Sequence, residues 1–321
     1  MYHSEALWTL LSQPLPIAVC AIALEWLLPL PAGFRPSALV PALEQLARKV
    51  NRPGHHTTQQ WLAGLLTPLV VLIPALAACW ALRNLSLSEG LFDLLLLVWL
   101  LELKPLGQQV SALRPLLRQD KLPLARLQLA PLVRRETRQL SLMGICKAVS
   151  ESLILRWSGQ WAAVLFWYLL AGIEAALCMR LLQLMNQAFS VKLQRNRLFG
   201  EISCRLYGLL CVVPAAVCVL LLGGFPGGGR ALTQAWRGAA HWPSRGQGAL
   251  LAAVAGGLNV RLGGPRFYDE HKQRFAVLGG QQEPDVTTPR RVLSRLQALS
   301  LVCWLALALC SGLNLYVHLA R

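Results

Sequence analysis

The sequence predicts an all-α, polytopic integral membrane protein with five or six transmembrane helices. Of its 321 residues, 55% are hydrophobic and only 14% are charged, and the mean hydropathy is +0.46. Soluble domains carry about 25% charged residues, so this composition excludes a water-soluble globule and also a disordered chain. No stretch shows the strict apolar–polar alternation that is typical of a half-buried strand.

Apolar segments account for the predicted spans, because a helix needs roughly 20 apolar residues to cross a bilayer. The segments are residues 7–30, 61–82, 91–103, 161–185, 206–225 and 298–320. The segment 91–103 is short and contains two acids, so the count is five or six. Glu25 and Glu174 lie inside other segments. A carboxylate at membrane depth costs a few kcal/mol and therefore faces the protein interior, which leaves both a packing role and a functional role open.

Three regions follow along the chain. Residues 1–103 form an N-terminal transmembrane region and residues 297–321 a C-terminal transmembrane helix. Between them, residues 104–296 form a core of amphipathic helices, two apolar spans and a segment rich in Gly and Pro. We expect this segment to form loops between short helices.

The basic residues orient these regions in an inner, or plasma, membrane. Residues 104–156 and 230–295 each contain ten Lys or Arg, which predicts that both lie in the cytosol and that the short loop 83–90 lies outside. The segment 179–205, with five bases, then falls on the outer side. This conflict leaves open that residues 161–185 are a buried or re-entrant element rather than a simple crossing.

Several classes of site are excluded or disfavoured. The net charge of +16 lies between apolar blocks, so it indicates membrane topology rather than nucleic-acid binding. The nine cysteines contain no CxxC pair, which indicates neither a zinc site nor a disulfide framework. The run GGFPGGG at residues 223–229 is followed by Arg230 instead of the Lys-Ser/Thr of a phosphate loop. His55 and His56 lack a third ligand nearby, and no metal site is predicted.

The most specific pattern lies between residues 135 and 265. It consists of Arg135-Glu136-Thr137, Glu151-Ser152-Leu153, Leu165-Phe166-Trp167, Asn186, Arg197-Leu198-Phe199-Gly200, Arg205, His241 and Leu262-Gly263-Gly264-Pro265. In order and spacing, this succession resembles the membrane-bound amide ligases of cobalamin biosynthesis, the adenosylcobinamide-phosphate synthases. The chain is similar to a divergent member of that family.

The resemblance implies the ATP-dependent joining of an aminopropanol phosphate or ethanolamine phosphate to a corrinoid carboxylate. It implies ATP and magnesium as cofactors of an active enzyme, and the corrinoid, the amino-alcohol phosphate and the lipid bilayer as partners. Carried over residue by residue, it implies catalytic roles for Glu136 and Glu151. Substrate-binding or phosphate-binding roles fall to Arg135, Thr137, Asn186, Arg197, Arg205, His241, Gly263, Gly264 and Pro265.

The sequence also departs from the family's pattern, because several acidic positions have been replaced. Those positions hold Leu155, Arg156, Gly159, Phe189, Tyr207 and Gly208. A site that keeps its arginines but has few carboxylates suits an anion better than magnesium. The alternative is therefore a catalytically silent relative that binds an anionic ligand or a protein partner. A transporter is disfavoured, since the two halves contain no matching pair of broken helices.

Overall fold

The computed structural model describes residues 13–28, 30–52, 56–268 and 271–319, and about 75% of it is helical. The helices are α1 (Pro14–Leu27), α2 (Val40–Val50), α3 (Thr57–Leu85), α4 (Glu89–Leu100), α5 (Lys104–Arg118), α6 (Leu122–Leu129), α7 (Leu142–Trp157), α8 (Ala163–Ala188), α9 (Glu201–Leu210), α10 (Val212–Leu222), α11 (Gly228–Ala239), α12 (Arg245–Gly257) and α13 (Thr288–Leu319). Strands β1 (Arg261–Tyr268) and β2 (His271–Gly279) form an antiparallel pair between α12 and α13.

Three helical runs are long and apolar enough to cross a membrane. They are α3, the run Leu142–Ala188 that joins α7 to α8, and Thr288–Val317 within α13. Helices α9 and α10 bend by 42° at their junction and add a fourth span if the pair counts as one. The structure thus contains three or four candidate spans in its described residues and does not confirm the predicted five or six.

The two remaining predicted spans are short helices. Helix α1 has 14 residues and α4 has 12, while residues 7–12 and 29 of the predicted first span lie outside the described residues. The chain leaves α4 at Leu101, and Glu25 of α1 accepts hydrogen bonds of 2.9 Å from the N–H groups of Leu103 and Lys104. The acid in α1 therefore caps the start of α5, which is a structural role.

The centre of the molecule is the long run from α7 to α8. A single π-helical turn, Ser158–Ala162, joins the two helices, and Trp157 stacks on Trp161 across it with ring centroids 5.6 Å apart. Farther along, Gly172 has φ of +80° and interrupts α8. Arg180, in the second part of α8, is fully buried and forms an ion pair with Glu102.

The antiparallel pair corrects the all-α prediction. Residues 261–279 lack the alternation that usually reveals a strand, because Gly263, Gly264 and Pro265 occupy the middle of β1 and a register shift separates Gly263 from Pro265. The segment predicted as loops between short helices contains the helices α11 and α12, which pack closely because Gly238 of α11 lies against Ala252 of α12. The hairpin packs against α12 and α7 and delivers side chains to a cavity beside α8.

Candidate functional site

Glu151 on α7 is the centre of a buried charge cluster. Its side chain is almost fully buried, and its Oε2 atom lies 3.1 Å from Nη2 of Arg135. Its Oε1 atom lies 3.0 Å from Nη2 of Arg266 and accepts a 2.7 Å hydrogen bond from the backbone N–H of Gly263. Both carboxylate oxygens are therefore engaged. One negative charge is shared by two arginines, which leaves the cluster with a net positive charge.

The hairpin backbone brings these groups together. Gly263 and Gly264 have φ of +81° and +87°, a left-handed conformation that glycine adopts without a steric penalty. Beyond this turn, Arg266 and Tyr268 lie two residues apart and share the buried face of β1. The N–H of Glu136 donates to the carbonyl of Phe267 at 3.0 Å, which holds the loop that carries Arg135 against the same strand.

Arg266 is enclosed by aromatic rings. Its guanidinium carbon lies 5.0 Å from the ring centroid of Trp242 and 4.7 Å from that of Phe275, so the flat cation faces both rings. Its Nη2 atom and Nη2 of Arg135 are paired with Glu151, whereas its Nε atom is buried and has no hydrogen-bond acceptor among the described residues. Buried guanidinium donors without acceptors favour the binding of an anion.

A cavity of about 280 Å³ adjoins this cluster. Its basic lining residues are Arg134, Arg135, Arg156, Lys192 and Arg266, and Glu151 is the single carboxylate that the described residues contribute to the lining. Arg134 is also paired, at 2.7 Å, with Glu44 outside the lining. Neutral polar groups, among them Gln183, Asn186 and Gln247, complete the wall. The cavity is cationic and suits a phosphate-sized anion.

Two groups outside the helical spans, Arg135 and Tyr268, have pKa values that are shifted in part by the charges around the cavity. Burial lowers the pKa of Arg135; the nearby carboxylate of Glu151 opposes this shift and Arg266 adds to it. Burial by itself would raise the pKa of Tyr268, but the positive charges of Lys192 and Arg266 and a hydrogen bond with Arg266 outweigh it, so the net shift is downward. The cavity therefore stabilises negative charge on groups that enter it.

Magnesium does not fit the donor set of this cavity. Mg²⁺ prefers carboxylate oxygens and water in octahedral geometry, and both oxygens of the one lining carboxylate are already engaged by cations and an N–H group. Among the described residues, no three His, Cys, Asp or Glu side chains are grouped so that they could hold a metal ion.

The structure brings part of the predicted site together. Arg135, Glu151 and Asn186 line the cavity, and Gly263 reaches Glu151 through its N–H group. Gly264 is buried in the same turn, Pro265 is exposed beside it and Thr137 is buried in the loop after Arg135. The roles that the resemblance implies for these residues stay predictions.

Other predicted site residues lie away from the cavity lining. Glu136 is exposed and contacts β1 through its backbone. Arg197 is exposed, and Arg205 is 78% exposed and pairs with Glu201 one turn earlier in α9. His241 is exposed, and its Nδ1 contacts the carbonyl of Arg237 at 2.8 Å.

Of the five basic residues of the cavity lining, sequence reasoning selected only Arg135 as a site residue and missed Arg134, Arg156, Lys192 and Arg266. Arg266 immediately follows the Leu262–Pro265 motif, and that position was the available signal. Lys192 lies in the segment 179–205, where the resemblance implies binding roles for Arg197 and Arg205 but not for this lysine. Its Nζ lies 5.8 Å from the ring centroid of Tyr268 and 6.0 Å from that of Phe275.

Comparisons with known proteins cover nearly the whole chain. The family model described as "CobD/Cbib protein" matches residues 18–296. A protein of Chromobacterium violaceum named "Cobalamin biosynthesis protein CobD" is 31% identical over 308 residues, which cover 93% of this chain and 96% of the relative. Proteins of the same name from Stutzerimonas stutzeri and Mycobacterium tuberculosis are 30% identical over 253 residues and 33% identical over 199 residues, covering 78% and 59% of this chain and 82% and 62% of the relatives.

No solved structure matches the chain significantly. The family match extends well beyond residues 135–265, where the motif resemblance lies, and confirms that resemblance. On this evidence, the chain belongs to the CobD/CbiB family.

Proposed function

We propose that the chain acts in cobalamin biosynthesis as a membrane-embedded amide ligase that joins an amino-alcohol phosphate to a corrinoid carboxylate. Membership of the CobD/CbiB family supports the role in cobalamin biosynthesis. The cationic cavity around Glu151 supports the finer assignment, because the amine substrate of this reaction carries a phosphate. That cavity is the observation on which the proposal depends.

The substrate phosphate would bind in the positive field of Arg135 and Arg266, because the single negative charge of Glu151 compensates only one of these two charges. Charge-assisted hydrogen bonds between a guanidinium and a phosphate are about twice as strong as neutral ones. The same positive field lowers the pKa of any amine in the cavity. A larger fraction of the substrate amine is then neutral, and only the neutral amine can attack a carbonyl carbon.

The corrinoid carboxylate needs activation before the amine attacks, and the resemblance implies ATP for this step. Arginine side chains of the cavity suit the phosphate oxygens of a nucleotide as well as those of the amine substrate. The donors that the described residues supply to the lining do not fit magnesium, so the proposal assigns the metal no role at this cavity. We further propose that the protein spans the inner membrane several times, with the arginine-rich segments in the cytosol.

The second candidate is a catalytically silent relative that binds the same class of anion. One observation favours it: among the described residues, the only carboxylate in the cavity lining already contacts two arginines and an N–H group, so the described lining offers no free carboxylate as a general base. Such a protein would bind an amino-alcohol phosphate without turnover.

Genetic complementation separates the two candidates. The gene is expressed in a strain that lacks the synthase and is fed cobyric acid, and cobalamin production is measured. Restored production supports the ligase. Absence of production, together with binding of ethanolamine phosphate to the purified protein, supports the silent binder.

A matched pair of variants tests whether ethanolamine phosphate binds in the cavity. Lys192→Gln removes a lining charge, whereas Lys272→Gln removes an exposed charge from β2. We expect Lys192→Gln to weaken binding of ethanolamine phosphate about tenfold, the loss of roughly 1.4 kcal/mol of interaction free energy, and Lys272→Gln to have little effect. Equal binding by both variants would exclude the cavity as the phosphate site.

A further inference from the structure

A second cluster of arginines lies away from the Glu151 cavity. We define the arginine basin as the lining of a cavity of about 480 Å³ to which α5 contributes Arg114 and Arg118 and α13 contributes Arg290, Arg291 and Arg295. An adjoining cavity of about 360 Å³ shares Arg291 and Arg295 and adds Arg230 of α11. Among the described residues, no acidic side chain lines either cavity. Two basic segments that are distant in sequence thus meet at one place.

The charges of the basin are not compensated within the described part of the chain. None of its arginines forms an ion pair there. Arg291 and Arg295 donate to the carbonyls of Leu258 and Pro226 at 2.9 and 3.1 Å. The positive charges of Arg118 and Arg290 lower the pKa of Arg114, as expected for like charges held close together.

Nearby acids are already engaged elsewhere. Asp285 accepts hydrogen bonds from Thr287 and from the N–H and hydroxyl groups of Thr288 at the start of α13, and Glu283 pairs with Arg261 at 3.0 Å. No acidic side chain among the described residues pairs with an arginine of the basin, so an anionic ligand can supply the counter-charge.

The basin lies where α13 changes from a basic to an apolar helix. Its three α13 arginines occupy the first turns, and the lining ends at Ala298, where the long apolar part of the candidate span Thr288–Val317 begins. Helix α11, which carries Arg230, exposes Leu232 and Trp236 to the outside, and Trp236 is 87% exposed. Exposed tryptophan beside arginine is typical of the interface between membrane and water.

We propose that the arginine basin binds the phosphate headgroup of an anionic phospholipid, with the acyl chains alongside the apolar part of α13. Basic pockets between helices at the cytoplasmic membrane surface are suited to such headgroups. The guanidinium groups supply paired donors for the phosphate oxygens. A phospholipid is favoured over a soluble phosphate because the charged cavity continues directly into an apolar helix surface.

The test measures lipid binding by the full-length protein in a neutral detergent. Short-chain phosphatidylglycerol and phosphatidylcholine are titrated separately and detected by native mass spectrometry. We use Arg114→Gln/Arg118→Gln/Arg290→Gln, since no hydrogen bond from these three side chains to the described protein is present, whereas Arg291 and Arg295 hold backbone carbonyls. The matched control, Arg138→Gln/Arg245→Gln/Arg274→Gln, removes three exposed charges from other places.

We expect the basin variant to bind phosphatidylglycerol at least tenfold more weakly than the wild type, and the control to stay within twofold of it. Arg114→Lys/Arg118→Lys/Arg290→Lys keeps the charge and should recover most of the affinity, which separates lost binding from lost folding. Equal affinity of the basin variant and the control would overturn the proposal. It would also be overturned if the wild type bound both lipids equally, or if equimolar pyrophosphate displaced phosphatidylglycerol completely, which would identify a site for soluble phosphate.

Discussion

The backbone N–H of Gly263 donates a 2.7 Å hydrogen bond to the carboxylate of Glu151. The two residues are 112 positions apart in sequence, and the contact joins the hairpin to α7, the first part of the long central run. The same oxygen contacts Arg266, and the other contacts Arg135. The two most distinctive motifs of the chain therefore meet at one carboxylate.

Replacing Glu151 should destabilise the protein strongly. Removing one partner of a buried ion pair costs about 3–5 kcal/mol, because the remaining charge is left uncompensated, and here two arginines lose their partner. Glu151→Gln keeps an acceptor for the Gly263 N–H and should cost less than Glu151→Ala. Thermal unfolding in detergent measures both changes.

The control for Glu151 is Glu283→Gln, which breaks the half-exposed pair between Glu283 and Arg261. Exposed pairs contribute about 0–1 kcal/mol, so this variant should unfold close to the wild type. If Glu151→Gln were as stable as Glu283→Gln, the central role of Glu151 in the cluster would be refuted.

The two glycines of the β1 turn offer a second comparison. Both have positive φ, which costs roughly 1–2 kcal/mol for alanine. In Gly263→Ala the new methyl group would also overlap the carbonyl of Ala276, whereas in Gly264→Ala its nearest neighbour would be Nζ of Lys147 at 3.6 Å. We expect Gly263→Ala to lower the unfolding temperature clearly more than Gly264→Ala, and an equal or reversed effect would contradict the described turn.

Tyr268 should titrate below the ordinary phenol pKa of 10.0. Its folded-state pKa is depressed, so the phenolate contributes stability above the unfolded value, and this contribution is lost as the pH falls through the folded value. At neutral pH it contributes nothing. Absorbance at 295 nm, compared between the wild type and Tyr268→Phe, reports the pKa.

Lys192→Gln should raise the pKa of Tyr268, because the positive charge that lowers this pKa most is removed, while Lys272→Gln should leave the pKa unchanged. An unchanged titration in Lys192→Gln would mean that Lys192 does not face the ring in solution.

The orientation of the chain can be tested with two fusions. A reporter after Arg138, in the loop before α7, should report the cytosol, and one at Ser86, between α3 and α4, should report the periplasm; these opposite signals require that the 12-residue helix α4 crosses the membrane. Both positions lie between helices. A periplasmic signal at Arg138 would reverse the orientation and remove the anionic leaflet from the proposed lipid site.

The sequence predicts the long apolar helices and the residues at the centre of the site. It does not predict the short lengths of α1 and α4, the hairpin or the full set of cavity residues. Hydropathy identifies α3 and α13 because each is long and apolar. It also predicts spans at α1 and α4, which the structure does not confirm, because both helices are short and the chain turns where Glu25 caps α5. The hairpin is missed because its strand contains two glycines and a proline and is held by a few specific contacts instead of an alternating pattern.

The residues of the site, like the helices, could be predicted only in part from the sequence. Motif matching finds Arg135 and Glu151, which meet, but it also selects Arg205, which is exposed and pairs within its own helix. Arg266 completes the cluster only because the left-handed turn before it directs β1 across α7. A contact that depends on a backbone turn is not visible in residue spacing alone.

The ion pair between Glu102 and Arg180 affects how the chain inserts into the membrane while it is being synthesised. Arg180 leaves the ribosome 78 residues after Glu102, and an arginine without a partner is costly inside a bilayer. The acid is therefore already available when the second part of α8 enters the membrane, and Ser37 holds it through a 2.8 Å hydrogen bond in the finished protein. Loss of Glu102 would act on the yield of inserted chains as well as on the stability of those that complete folding.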